Sequence, residues 1–119
     1  MQAGRPVRLT TPSQSHVLAV FALFLVAGPA WDTSRQRREQ AGWDDHAAFM
    51  DELLQQGFVV MGGPIGDGQE ILLIVEATGD AEVTARLQPD PWFAMGILQI
   101  GQIQRWTVWL DGRAVTSKR

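Results

Sequence analysis

Residues 17–27 (VLAVFALFLVA) are apolar at every position, and Gly28-Pro29 stops the run. Eleven residues are too few to span a bilayer as a helix, which takes about 20. Arg5 and Arg8 ahead of the run, with Ala27-Gly28-Pro29-Ala30 behind it, imitate a secretory leader. The other reading is a strand buried on both faces, as only a central strand is. We take the strand, because the remaining pattern is one strand short without it. A cytoplasmic location follows from that choice.

The pattern around this strand describes one domain over residues 16–112, between a mobile tail at 1–15 and a polar tail at 113–119. A helix is expected from about Arg37 to Gln56, closed by Gly57 at its C-terminal end. At helical spacing its apolar face collects Trp43, His46, Phe49, Met50 and Leu53. Phe58–Ile65 reads as a second strand ending in Gly62-Gly63-Pro64, and Gly66-Asp67-Gly68 as a tight turn. Ile71–Ala77 is a third strand, again apolar at successive positions. A short helix follows with Asp80 as its N-cap, and Asp90-Pro91 opens another helical turn. The last strand is expected over residues 97–110, bent near Gly101.

The order βαββαβ is that of the ferredoxin-like α+β fold: a four-stranded antiparallel sheet with both helices on one face. Its first and third strands are central, and those are the two apolar at successive positions. The uncovered face is then apolar too, with Val17, Ala19, Phe21 and Leu23 or the alternate set, joined by Ile71, Leu73 and Val75. A soluble monomer avoids such a patch. A homodimer docked sheet to sheet into a barrel-like core is the expected solution, with Trp106 and Trp109 serving packing or that contact.

Composition narrows the chemistry. There is no cysteine or tyrosine, the only lysine is Lys118, and serine occurs only at positions 13, 15, 34 and 117. Thiol, phenol and Schiff-base chemistry are thereby excluded or remote, and no serine nucleophile lies in the central segment. Residues 16–112 hold five Arg against all 13 acids, which argues against nucleic acid as a partner. Neither a metal nor a cofactor is expected. Only His16 and His46 could supply imidazole ligands, and no Gly-rich phosphate loop precedes a helix.

Two residues stand out. His46 lies on the apolar helix face between Trp43 and Met50, so its ring points at the sheet or at a cleft beside it. It is either a satisfied core histidine or a general acid/base. Asp90 is an N-cap ahead of Pro91 by the simplest reading. One of its oxygens can cap while the other orients His46 and selects its tautomer. Gly63 and Pro64 close the second strand, where glycine admits a ligand to the backbone and its amide could hold an anionic oxygen. Trp92 could line an apolar pocket, although aromatic residues are more often core.

Taken in order, Asp45-His46-Ala47-Ala48-Phe49-Met50, Gln56-Gly57-Phe58, Gly62-Gly63-Pro64, and Asp90-Pro91-Trp92 with Gly96 beyond resemble the YCII-related family over about residues 17–110. The resemblance implies a ferredoxin-like α+β fold that dimerises through its sheets, related in shape to muconolactone isomerase-type proteins. It implies a His-Asp pair at His46 and Asp90, and, where activity is assigned, lyase- or dehydrohalogenase-like action on small ring compounds. The chain departs from the family in having Trp92 where Phe or Tyr is common, in an Arg-rich stretch at 32–40, and in its tails.

Three functional classes follow. The first is a small-molecule enzyme of lyase, isomerase or dehydrohalogenase type, with His46 and Asp90 as catalytic residues and Gly63, Pro64 and Trp92 at the substrate. The second is a non-catalytic dimer that binds a small metabolite. The third is a structural dimer whose tails make the important contacts.

Overall fold

The computed structural model describes residues 17–113. His16 and the expected tails, apart from Arg113, lie outside the described residues. Four strands, β1 (Ala19–Ala27), β2 (Val59–Ile65), β3 (Glu70–Ala77) and β4 (Leu98–Trp106), form one sheet in the order β2-β3-β1-β4. Every neighbouring pair is antiparallel. With helices α1 (Trp43–Gln55), α2 (Asp80–Leu87) and α3 (Pro91–Ala94), this is the βαββαβ ferredoxin-like arrangement. The apolar run that opened the sequence is β1, flanked by β3 and β4. No helix among the described residues is long and apolar enough to cross a membrane.

Register decides which face is core. Phe21 pairs with Val75, Leu23 with Leu73 and Leu25 with Ile71. Phe21, Leu23, Leu25, Leu73 and Val75 are buried with Leu53 of α1, Val83 and Leu87 of α2 and Trp92 of α3, and Ile71 packs half-buried at the edge. The open face instead carries Val20, Ala22 and Phe24, opposite Glu76, Ile74 and Leu72. The expectation that Ile71, Leu73 and Val75 would be bare is therefore corrected: they lie under the helices. Alternation gives no signal where both faces of a strand are apolar, and only the pairing separates them.

Two bulges shape the sheet. The β1–β4 register shifts between Phe24 and Leu25, leaving Gly101 as the extra residue. A Cβ there would stand 3.1 Å from Val26 Cγ1 and 3.2 Å from Phe24 O, so glycine suits the expected bend. The β2–β3 register shifts between Val59 and Met61, which turns Met61 onto the open face opposite Ile74. Pro64 is tolerated because β2 is an edge strand.

Several element boundaries differ from expectation. The first helix begins at Trp43, because Gly42 takes a left-handed φ of 75° at its N-cap, and Arg37–Glu39 form a separate 3₁₀ turn. Asp44 and Asp45 then sit favourably in the first turn of α1. Gly79, not Asp80, is the N-cap of α2. Glu82 reaches back from the first turn to accept from the Thr78 N–H (2.7 Å) and hydroxyl (3.0 Å). The last strand ends at Trp106, so Trp109 lies beyond the sheet and is 87% exposed. Neither it nor the exposed Trp106 packs into the core of the chain.

Candidate active site

The site is built where α1 meets α3. Asp90 caps α3 as expected, its Oδ1 accepting from the Trp92 N–H at 2.9 Å with Pro91 in the first helical position. The same carboxylate faces His46 of α1, whose Nδ1 lies 2.8 Å from Oδ2 and 3.0 Å from Oδ1. A carboxylate only accepts hydrogen bonds, so Nδ1 carries the proton and donates it. In the neutral ring, Nε2 then keeps its lone pair. Asp90 is fully buried and His46 is 9% exposed. A carboxylate that deep requires partners, and among the described residues these are His46 and the Trp92 amide.

Trp92 holds the imidazole from the side. Its rings lie parallel to that of His46 at a centroid separation of 4.0 Å and an angle of 5°. Trp92 Nε1–H donates to Ala41 O at 2.7 Å, which satisfies the buried indole and ties α3 to the approach to α1. Trp31 packs edge-on against Trp92. Trp92 is expected from the sequence to touch a substrate; it has no exposed surface and does not line the cavity that His46 borders. Its large ring instead fills the core and positions His46.

His46 borders a cavity of about 270 Å³ between α1 and the β2 edge. The walls are mostly apolar, from Met50, Leu54 and Ile71, and the Gly62-Gly63-Pro64 backbone forms one side. Gly63 and Pro64 thus share the cavity with His46. Gly62 has the tighter steric demand: a Cβ there would approach Leu73 Cδ1 to 2.5 Å, whereas one at Gly63 meets nothing within 4 Å. Among the described residues, His46 Nε2 makes no hydrogen bond, so it is the ring nitrogen left for a ligand.

Sequence reasoning missed Arg37. It borders this cavity and also an adjoining hollow of about 430 Å³ lined by Trp31, Gln36 and Gly68. Its Nη2–H donates to Gly68 O at 2.8 Å, and its guanidinium lies over Trp31 at 5.3 Å. Burial pushes its pKa below the usual arginine value. The only signal in the sequence was the run of arginines before α1, which carries no indication of which one turns inward. Among the described residues, no three His, Asp or Glu side chains gather as a metal set.

No family model and no curated protein matches the sequence, so the YCII-related likeness stands as a resemblance. Among solved structures, the chain is similar to 5-chloro-2-hydroxyhydroquinone dehydrochlorinase (TftG) from Burkholderia phenoliruptrix AC1100, in complex with 2,5-dihydroxybenzoquinone. The two share 22% identity at a TM-score of 0.48, over 80% of this chain and 97% of that one. A likeness at that level carries no argument about chemistry.

Proposed function

We propose that the protein is a small-molecule enzyme in which His46 is the general base and acid and Asp90 orients it. The observation that carries this reading is the His46 Nδ1–Asp90 contact at 2.8 Å, in a ring that also borders an apolar cavity. An apolar cavity with a polar group at its wall is the usual form of a small-molecule site. In the proposed step, Nε2 takes a proton from carbon next to a carbonyl or enol, and the electron pair moves onto the carbonyl oxygen. Returning the proton to another carbon gives isomerisation; expelling a leaving group such as halide gives elimination. Gly63 and Pro64 are assigned to the substrate wall, and the Gly63 amide to the developing oxyanion.

The test is turnover by the pure protein of small cyclic enols, lactones and halogenated hydroxyaromatics. Loss of about 10²–10⁴-fold in rate is expected for His46→Ala. Binding without turnover, with little loss on His46→Asn, would move the protein to the class of metabolite-binding modules.

We assign the open sheet face to a second copy of the chain. Ala22, Phe24, Leu72, Ile74 and Trp106 line a shallow apolar depression there, and Ile74 is buried although it stands outside the main core. Light scattering should give twice the chain mass, and Phe24→Glu should halve it.

A further inference from the structure

We propose that Arg37 is an anion-recognition residue, so that the ligand is an acid: a small ring or enol seated at His46 that also carries a carboxylate or similar oxyanion held by Arg37. The placement of the ring end rests on the acid–base reading of His46; the anion end stands on the surroundings of Arg37.

Arg37 differs from the other arginines of the described residues. Arg35 is matched by Asp32 at 3.6 Å and Glu39 O at 3.1 Å. Arg86 lies beside Glu82, and Arg113 pairs with Asp111. Arg105 lines the open face of the sheet, and Arg38 lies over Trp43 outside both hollows. Among the described residues the Arg37 side chain makes no ion pair, and its one hydrogen bond there is to a carbonyl, Gly68 O. Asp51 also borders the cavity but is exposed and makes no ion pair with it.

A guanidinium has five N–H donors in a planar fork that matches a carboxylate. Here the fork is braced over Trp31 with one donor engaged, so most of its donors remain for a ligand. The surrounding body is acidic, with five Arg against 13 acids over residues 16–112. Such a field disfavours anions generally; Arg37 borders both hollows, with the Asp32-paired Arg35 lining only the larger one, and this makes it the place where an anion is accepted. Arg37 and Leu98 line both hollows, so a ligand can lie across them with its apolar end against Met50 and Leu54 and its acid at Arg37.

The experiment is calorimetric titration of the full chain with 4-hydroxybenzoate and with its uncharged partner 4-hydroxybenzamide. The wild type should prefer the acid by about tenfold, the scale of one charge-assisted hydrogen bond. Arg37→Gln should erase that preference while keeping the amide's affinity, and Arg37→Lys should retain part of it. Arg38→Gln removes the same charge nearby and should leave the preference intact. His46→Asn should also leave it intact, so absence of turnover would sink the catalytic reading without touching this one. Equal wild-type affinities, a preference surviving Arg37→Gln, or no binding of either compound overturns the proposal.

Discussion

Replacing Asp90 separates its two tasks. Asp90→Ala removes an N-cap, worth about 1 kcal/mol, and leaves a buried imidazole N–H without its acceptor, which costs about 1–3 kcal/mol. Both groups are shielded from water, with Asp90 fully buried, so the two losses should appear nearly in full. A destabilisation of about 2–4 kcal/mol is expected by urea unfolding, equivalent to a fall in melting temperature on the order of 10 °C or more for a domain of this size. Asn also caps helices well, so Asp90→Asn should keep the bond from the Trp92 amide and lose less than Ala. Its effect is on His46. With an amide NH₂ facing Nδ1, the ring should move its proton to Nε2, and the nitrogen left for a ligand would become a donor. Imidazole ¹⁵N shifts at neutral pH in the ligand-free protein report that tautomer directly. If Asn and Ala destabilise equally, or if the ring keeps its proton on Nδ1 in Asp90→Asn, the dual role of this carboxylate is wrong. In the catalytic reading the same Asn variant should lose about 10³–10⁴-fold in rate, the scale seen where a histidine's orienting acid is amidated in serine proteases.

Gly28→Ala should destabilise by at least about 2 kcal/mol, because its Cβ would lie 2.2 Å from Gly96 O and disturb the Gly28 N–H to Ile97 O bond at 2.8 Å; Gly63→Ala, with nothing within 4 Å, should unfold at the wild-type urea concentration. The Thr78 amide, and next its hydroxyl, hold the Glu82 carboxyl below its ordinary value of 4.5. That stabilisation is present above the unfolded value and lost as pH falls through the folded one. Glu82→Gln should therefore cost a few tenths of a kcal/mol at pH 7, and the gap should close under acid conditions in parallel urea titrations; a gap that widens below pH 4 contradicts the assignment.

Much of this architecture was legible in the chain. Two segments with consecutive apolar residues, β1 and β3, had to be central, and the Gly and Pro positions marked most turns. The Asp90-Pro91 cap was readable because both residues have narrow conformational uses. His46 was visible as a polar group on an apolar helix face. Other features depend on long-range geometry that a local pattern does not encode. Gly42 ends the helical periodicity only through its positive φ. The bare face of the sheet depends on pairing between strands whose two faces are alike in composition. Trp92 reads equally as pocket wall or core in the sequence, because its stacking on His46 spans 46 positions, and Arg37 is one of several arginines until the loop folds.

His46 hangs from the first βαβ half of the chain and Asp90 begins the last turn before β4, in the second. Neither half alone holds both side chains, so a nascent or partly docked chain lacks the 2.8 Å contact between them. Only a molecule whose halves have closed on each other presents the pair, which makes any activity at this centre a count of fully assembled molecules rather than of chains made.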